Sequence, residues 1–254
     1  AATTEIYTNL NTLSLHDALP IPVAPLFGNW PYDPTTALLT LRSGHHPEAT
    51  ITSEVVKMWL KTAQQGGFAR VRTNAVSPQL AGILATVGFS VKQELSLLTA
   101  PLQNLPPAAH SGHVARVTAT QAIRIDCAAF HGEWAIDSQA LLAAKQATQF
   151  HRLRGLGPSR FRRNSGYCLS GFTPSSSDAQ YGYIQRLAVH PSAQRSGYGR
   201  KLVLDALHWL GSRGMQHALV NTDSTNAAAL SLYGSLGFAP MSYSLYVLER
   251  ACTD

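Results

Sequence analysis

The stretch that decides the fold is "HPSAQRSGYGRKLVLDALHWLGSRGM", residues 190–215. Its centre, Gln194 to Gly199, places two glycines and an arginine directly before an apolar pattern with helical spacing. The preceding segment "YGYIQRLAV" is rich in aromatic and β-branched residues and stops before Pro191, so we predict a central strand from Tyr181 to Val189. A strand, a loop and a helix N-terminus in this order are typical of an anion-binding site, because the first helical amides have no partner within the helix.

The loop does not fit the two common nucleotide-binding motifs. The dinucleotide motif G-x-G-x-x-G requires a glycine at position 202, where the chain has Leu202. The Walker motif requires Lys followed by Ser or Thr after the second glycine, and the chain has Arg200 and Lys201 there. The remaining pattern, Gln/Arg-x-x-Gly-x-Gly after a strand that ends at a proline, favours a pyrophosphate loop, in which glycine lets the backbone approach a phosphate.

The order helix, strand, helix, Gly-Phe, strand occurs twice along the chain and indicates an internal duplication, with a chance match of common α/β patterns as the alternative. The first copy lacks "QRSGYG" and has Leu84 where the second has Tyr233, so we expect it to have lost its chemistry. The predicted elements of the first copy are a helix in 54–68, a strand at 69–74, a helix in 77–89 and a strand at 90–98. Those of the second are a helix in 200–210, a strand at 217–222, a helix in 225–238 and a strand at 239–250.

The domain boundaries follow from composition. Three prolines and small residues at 100–113 predict a linker between the two copies. Residues 1–22 show no periodicity, and we interpret part of them, "LSLHDALPI", as foreign to the native sequence. The predicted organisation is therefore a tail at 1–22, a domain at 23–100, a linker at 101–112 and a second domain at 113–254.

Composition narrows the class of protein. The chain has 254 residues, 45% of them hydrophobic, and no run of 18 apolar residues, so we expect a globular protein with no membrane contact. Three cysteines without metal-ligand spacing, and an N-terminus without a signal pattern, favour a reduced cytoplasmic setting and no metal site. All of the formal charge of +6 lies in residues 111–254, which suits a polyanionic ligand. The arginines of 152–163 are expected to form a solvated surface, and the few aromatic residues among them argue against nucleic-acid binding.

Two blocks together resemble the GNAT family, the GCN5-related N-acetyltransferases. "LAVHPSAQRSGYGRKLV" is similar to the family's fourth strand, pyrophosphate loop and third helix, and "NTDSTNAAALSLYGSLGF" to its fifth strand and fourth helix. "VTATQAIRIDCAAFHGEWAID" resembles the first strand and the two opening helices. The resemblance covers about residues 113–250. It implies an α/β fold of two GNAT-like domains, each a mixed, mostly antiparallel sheet flanked by helices, with the N-terminal one truncated.

The resemblance also implies the roles of individual residues toward acetyl-CoA. Asn226 matches a residue that contacts the CoA arm, and Tyr233 matches the general acid that protonates the departing thiolate, although a turn residue and a half-buried aromatic are the structural alternatives. The predicted pantetheine-binding residues are Leu187, Ala188 and Val189. The predicted pyrophosphate-binding residues are Gln194, Arg195, Ser196, Gly197, Tyr198, Gly199 and Arg200.

The resemblance offers several candidates for the general base. Many members of the family have a glutamate on the fourth strand, and here Gln185 stands in that neighbourhood and can only hold a water molecule. Glu133 ranks first among the candidates in "FHGEWAID", ahead of His131 and Asp137, with an ordinary surface carboxylate as the alternative. His190 is expected to end a strand rather than to do chemistry.

The sequence therefore predicts an acetyl-CoA-dependent N-acetyltransferase that acts on a primary amine, carried by a small molecule or a peptide, through direct attack in a ternary complex. The alternative is a non-catalytic acyl-CoA-binding sensor or scaffold. We expect a monomer or a homodimer.

Overall fold

The computed structural model describes residues 26–30, 33–40, 51–107, 114–130, 132–157, 165–174 and 180–252. These ranges contain ten strands and six helices. The strands are β1 (Leu26–Trp30), β2 (Asp33–Thr40), β3 (Arg70–Thr73), β4 (Ser90–Pro101), β5 (Ala115–Arg116), β6 (Phe150–Leu156), β7 (Gly166–Phe172), β8 (Tyr181–Val189), β9 (His217–Asp223) and β10 (Ala239–Ala251). The helices are α1 (Ser53–Gln65), α2 (Pro78–Thr86), α3 (Ala119–Ala129), α4 (Ser138–Gln146), α5 (Tyr198–Ser212) and α6 (Ala227–Gly234).

The structure confirms nine predicted elements, which are the four helices and strands of each copy and the central strand. The predicted strand Tyr181–Val189 coincides with β8, and the other eight differ from the observed elements by a few residues at their ends. The tail at 1–22, residues 108–113 of the linker, His131 and the arginines at 160, 162 and 163 lie outside the described residues.

The chain divides into two compact units, and the boundaries fall inside two strands. The large unit is Leu97–Met241, and the described part of the small unit is residues 26–96 together with 242–252. The strand order is β4-β9-β8-β7-β6-β5 in the large unit and β1-β2-β3-β10 in the small unit. β10 pairs antiparallel with β3 through Glu249 and Arg72, whereas β2 and β3 are parallel.

These boundaries differ from the predicted domains 23–100 and 113–254. The last strand of each sequence copy is divided between the units, so residues 97–101 belong to the large unit and residues 242–252 to the small one. The physical reason is strand pairing across the copies. β4, the last strand of the first copy, lies beside β9 of the second copy, and β10, the last strand of the second copy, lies beside β3 of the first. Part of the predicted linker is also packed, because Leu102 is buried and its N–H donates to Gln216 O at 2.8 Å.

The sheet of the large unit is covered on both faces. One core lies between the sheet and α5 and α6, and it includes Leu187, Leu207 and Tyr233. The other lies between the sheet and α3 and α4, and it includes Ile125 and Ala188. Because β8 contributes to both cores, all of its residues except Tyr181 are buried, as expected of a central strand with helices on both sides.

The two copies end their helices in the same way. At the C-terminal ends of α1, α2, α5 and α6, an N–H donates to the carbonyl five residues earlier. A glycine with φ between 82° and 87° makes each of these turns possible. The four donor–acceptor pairs are Phe68–Ala63, Phe89–Leu84, Met215–Leu210 and Phe238–Tyr233. The four glycines are Gly67, Gly88, Gly214 and Gly237. Leu84 and Tyr233 therefore occupy equivalent positions in the two copies.

We expect Leu248→Ala to destabilise the unit that is built mainly from the first half of the sequence. Leu248 lies in β10, is fully buried and belongs to the core of α1 and α2, so its truncation should cost about 2–5 kcal/mol there. Amide hydrogen exchange followed by mass spectrometry should show faster exchange in α1 and α2 and unchanged exchange in α5. Leu236→Ala, in the core of the large unit, is the matched control and should give the reverse pattern. Equal acceleration in α1 and α5 for Leu248→Ala would contradict this assignment of β10.

Candidate functional site

The candidate site begins where β8 and β9 stop pairing. The two parallel strands are in register only from Tyr181–His217 to Tyr183–Leu219. Both strands continue, β8 to Val189 and β9 to Asp223, so within the described residues the facing edge of β8 from Ile184 onward is not paired with β9. On its other edge β8 pairs with β7 from Gly182 to Val189, apart from Gln185. A strand paired on one side only presents backbone hydrogen-bonding groups to a ligand.

The register identifies which backbone groups face this open edge. His190 N–H donates to Ser165 O at 2.7 Å, on the β7 side. Because residues of an antiparallel ladder alternate in the direction of their hydrogen bonds, Leu187 and Val189 direct their N–H and C=O groups to the opposite side. These two residues and Ala188 between them are buried. The predicted pantetheine-binding segment therefore coincides with the unpaired edge.

A bulge in β8 lies directly before this edge. Leu169 of β7 faces Arg186 and Ser170 faces Ile184, so Gln185 is the extra residue. Its side chain is buried and its Nε2 donates to Ala144 O of α4 at 2.7 Å, while its Oε1 has no partner among the described residues. Gln185 thus ties the bulge to α4 and leaves one buried acceptor that a water molecule could satisfy.

The N-terminus of α5 follows β8 and has no side-chain cap. Of the six described helices, the other five each begin at a residue whose side chain accepts a bond from the first turn. At α5 the N-cap is Gly197, with φ 77° and no side-chain bond. Arg195 also has a positive φ of 58°. The amides that open α5 are therefore left to an external acceptor, and the left-handed turns before them suit an anion-binding concavity.

The other residues of the loop hold it in place. Gln194 Nε2 donates to Val189 O at 3.2 Å, and Ser196 Oγ donates to Gln194 O at 3.4 Å. Arg195 is exposed, whereas Arg200 donates from Nη1 to Ser235 O at 3.0 Å and Ser235 Oγ at 2.9 Å. Arg200 therefore joins α5 to the end of α6, which differs from the expectation that it adds a bond to a phosphate.

Gly199 and Tyr198 lie on the inner side of the first turn of α5. A Cβ on Gly199 would lie 3.2 Å from Leu232 and 3.9 Å from Leu187, so the absence of a side chain lets α5 approach both β8 and α6. Tyr198 is partly buried and packs on the same core. The second glycine of the loop is thus explained by close packing.

Two predicted residues lie on or beside α6. Asn226 is the N-cap of α6, and its Oδ1 accepts from Ala229 N at 3.1 Å, as the structural alternative predicts. Its Nδ2 is nevertheless buried without a partner among the described residues, which leaves one donor for a ligand or a water. Tyr233 is fully buried, and its ring packs edge-on against Phe238 at 5.4 Å. The residue before Tyr233, Leu232, lies with Leu187 around Gly199.

A buried charged network fixes the opposite side of the site. Arg186 donates to both oxygens of Asp126, from Nε at 2.9 Å and Nη2 at 2.8 Å, and its guanidinium lies 4.0 Å from the ring centroid of Phe130. Tyr167 OH donates to Asp126 Oδ2 at 2.6 Å. Since all three polar groups are buried and mutually bonded, the network joins β8, β7 and α3 without leaving an unpaired charge.

The same network holds the turn that carries Glu133. Arg186 Nη2 donates to Trp134 O at 2.6 Å, and Ile136 N donates to Asp126 Oδ1 at 2.9 Å. Glu133 lies in the 3₁₀ turn Gly132–Trp134, directly before the first of these anchors. The turn is therefore fixed against the residue of β8 that directly precedes Leu187.

Two other candidates have structural roles. Asp137 Oδ1 accepts from Ala140 N at 2.7 Å and caps α4. His190 Nδ1 accepts from Ser192 N at 3.3 Å and caps the 3₁₀ turn Pro191–Ala193. Within the described ranges, no group of three His, Cys, Asp or Glu side chains is placed to hold a metal ion.

Sequence reasoning did not single out Asp126 and Arg186. The sequence did carry a signal, because each residue is a charge at a position where the pattern calls for an apolar side chain. Arg186 interrupts the hydrophobic strand 181–189, and Asp126 lies on the buried face of α3. A charge at such a position indicates a buried partner, but the sequence does not say which one.

The sequence model of the acetyltransferase (GNAT) family matches residues 130–238. Over 234 residues the chain is 30% identical to mycothiol acetyltransferase of Nocardia farcinica, which covers 86% of this chain and 74% of that protein. It is 29% identical over 191 residues to mycothiol acetyltransferase of Rhodococcus jostii, covering 69% of this chain and 63% of that protein.

Two solved structures share the fold. One is a tandem GNAT protein from the clavulanic acid biosynthesis pathway, with a TM-score of 0.63 at 12% identity over 87% of this chain and 76% of that chain. The other is a GCN5-related N-acetyltransferase from Sphaerobacter thermophilus, with a TM-score of 0.63 at 11% identity over 91% of this chain and 76% of that chain. At these identities the likeness is one of fold. No helix in the described part of the chain is long and apolar enough to cross a membrane.

We expect the buried network to make stability depend on pH at the alkaline end. Burial, and then the charge of Asp126, raise the pKa of Tyr167 well above its usual value. The folded protein therefore keeps a proton that the unfolded chain releases above about pH 10, and the free energy of unfolding falls as the pH rises through that region. Urea denaturation at about pH 8 and about pH 11 should show a smaller fall in Tyr167→Phe than in the parent protein. Tyr246→Phe, in the small unit, serves as the control. The same fall in Tyr167→Phe and the parent would contradict the assignment.

Proposed function

Because the chain belongs to the GNAT family of acetyltransferases, we propose that its large unit transfers the acetyl group of acetyl-CoA to a primary amine, by direct attack in a ternary complex. The observation that carries the proposal is the unpaired edge of β8, whose end at Val189 lies beside the uncapped first turn of α5. The strand edge offers backbone hydrogen-bonding groups to an amide-containing arm, and the helix N-terminus offers its amides to a phosphate.

The residues around this edge fit acetyl-CoA. The α5 amides and the left-handed turns at Arg195 and Gly197 would hold the pyrophosphate. The open groups of Leu187 and the N–H of Val189 would pair with the pantetheine arm, since Val189 O already accepts from Gln194 Nε2. The unpartnered Nδ2 of Asn226 would donate to that arm. Bound there, acetyl-CoA supplies the activated acetyl group, and the protein has to orient it and move protons.

Two proton transfers accompany the reaction. The amine must lose a proton to attack, and the departing thiolate must gain one. We assign the second transfer to Tyr233, because its side chain belongs to the same buried core as Leu187 of the open edge. We assign the first to Glu133, directly or through water, because its turn is anchored to Arg186 of β8. Gln185 would position the water rather than take the proton.

We further propose that the first copy is a degenerate GNAT domain without catalytic function. The equivalent helix ends support the duplication. The N-terminus of α5 has no side-chain cap, whereas the N-terminus of the equivalent helix α1 is capped by Thr52, whose Oγ1 accepts from Val55 N. Where α6 has Tyr233, α2 has Leu84. The first copy thus lacks both the free helix N-terminus and the phenol.

The second candidate function is an acyl-CoA sensor without turnover, and the replacement of a strand carboxylate by Gln185 favours it. Both candidates require thermal stabilisation by acetyl-CoA, but only the enzyme should release free CoA when amines are added. A screen of primary amines, which includes the acetyl acceptor of mycothiol acetyltransferase because two relatives carry that name, separates the two. Stabilisation without CoA release for any amine would favour the sensor.

We expect Tyr233→Phe to lower kcat by about 100-fold, because removal of a positioned general acid typically costs that much. Steady-state release of CoA should show this loss, while the stabilisation by acetyl-CoA stays close to that of the parent. Tyr246→Phe, in the small unit, is the control and should leave kcat unchanged. An unchanged kcat in Tyr233→Phe would remove Tyr233 from the mechanism.

We expect a negative charge at the start of α5 to weaken acetyl-CoA binding. Gly197→Asp places a carboxylate where the pyrophosphate would lie, and Gly197→Asn has the same shape without the charge; both residues tolerate a positive φ better than most. Isothermal titration should give a dissociation constant roughly tenfold larger for the Asp variant than for the Asn variant. Acetyl-pantetheine, which lacks the pyrophosphate, should bind both equally. Equal acetyl-CoA affinities in the two variants would place the pyrophosphate elsewhere.

A further inference from the structure

A groove of about 1210 Å³ lies at the edge of the large unit's sheet, beside β5 and β6 and the ends of α4 and α5. Its walls carry five Arg or Lys side chains as well as His151, and no aspartate or glutamate. The five are Arg116, Lys145, Arg152, Arg154 and Arg213. The groove reaches Arg213 at the C-terminal end of α5, and since that helix has 15 residues, its other end at the proposed pyrophosphate loop is roughly 20 Å away.

Most of this positive charge is not neutralised. Arg152 donates to both oxygens of Asp205, at 2.8 and 3.2 Å. The other four form no ion pair with a carboxylate among the described residues. Burial, and then the positive charge of Arg152, lower the pKa of Arg154 against the smaller opposing effect of Asp205, and Arg116 adds a further lowering. Cations crowded in this way gain stability when an anionic ligand enters the groove.

An aromatic wall lies between these cations. Phe150 and Phe172 stack with ring centroids 5.1 Å apart, and Phe172 contacts Trp209 at 5.6 Å. Phe172 is buried, whereas Phe150 is 46% exposed. Phe150 thus offers one apolar contact to a ligand, and arginines surround it.

The edge of β6 supplies the third feature. β5 pairs with β6 only through Ala115–Gly155 and Arg116–Arg154. In the part of the chain that the structure describes, the outer edge of β6 from Phe150 to Leu153 has no strand beside it. Backbone groups on such an edge are available to an added strand.

We propose that this groove binds an extended acidic peptide of a partner protein as an added β-strand along Phe150–Leu153. Its carboxylates pair with Arg116, Arg154 and the neighbouring cations, since the guanidinium group binds carboxylates through two parallel bonds. An apolar side chain of the peptide packs on Phe150. The site is independent of the acetyl-transfer site and of its proposed activity.

Two other occupants fit less well. A second copy of the chain would bring Arg116 and Arg154 against the arginines of the same edge, which is repulsive. Single-stranded nucleic acid binds through successive ring faces. The two exposed rings of the groove, Phe150 and His151, are consecutive residues of β6 and point to opposite faces of the sheet. Trp209 is partly covered by Phe172 and by Arg152 at 5.7 Å.

The test measures fluorescence anisotropy of labelled peptides with the full chain at low and moderate salt. A short peptide of alternating Glu and Val should bind, and more weakly as salt is added. A peptide of alternating Lys and Val should not bind. A peptide of alternating Glu and Pro has the same charge, but its prolines lack the backbone N–H and fix φ, so it does not form a regular strand. Its affinity should be lower by roughly tenfold or more.

The double variant Arg116→Glu/Arg154→Glu should reduce binding of the Glu–Val peptide by at least about tenfold. The double variant Lys57→Glu/Lys61→Glu has the same change in charge on exposed residues of α1 and should bind like the parent. Melting temperatures of both variants establish that they are folded. Absence of binding, equal losses in the two variants, or equal affinity for the Glu–Pro peptide would overturn the proposal. An oligonucleotide that binds more tightly than the peptide and is lost in Arg116→Glu/Arg154→Glu would assign the groove to nucleic acid.

Discussion

The proposed site depends on one constraint, the early end of pairing between β8 and β9. The backbone groups of a central strand are normally hydrogen-bonded to a neighbouring strand on both edges. On the β9 side, β8 is paired over only three residues. Beyond Tyr183 its backbone must find other partners, because unsatisfied buried groups are costly. The bulge at Gln185 and the uncapped α5 lie at the two ends of this open segment. The open groups of the strand lie close to those of the helix, because a Cβ on Gly199 would lie 4.0 Å from Val189. A long ligand with both amides and phosphates requires such an arrangement.

An open strand needs a rigid surrounding, and the buried Arg186–Asp126 pair contributes to it. The pair spans β8 and α3, and Arg186 also reaches the turn of Glu133. Such a pair adds little net stability, because desolvation offsets much of the attraction. Its value here is geometric, since each partner can satisfy the other only in one arrangement. The backbone of β8 and the turn of Glu133 therefore cannot move independently without exposing a buried charge.

The sequence was sufficient for elements whose signals are local. Apolar periodicity and the glycines at 67, 88, 214 and 237 predicted both copies of the helix–strand–helix–strand pattern, and the loop at 194–199 was found from its glycines. Long-range features were not predictable, because no local pattern encodes them. The Arg186–Asp126 pair joins residues 60 apart, the bulge depends on the register with β7, and the exchange of strand ends between units contradicts the order in which the copies are encoded.

The duplication that we propose would separate scaffolding from chemistry. Both copies keep the glycine-ended helices that a packed sheet requires, whereas only the second keeps an open helix N-terminus. In the first copy Thr52 caps α1, a change that typically stabilises a helix by about 1 kcal/mol. A helix N-terminus reserved for a ligand forgoes that stabilisation. Once the first copy had no ligand to bind, a capping side chain would improve its stability at no cost, so the capped α1 and the uncapped α5 are the expected outcomes of one fold under two different requirements.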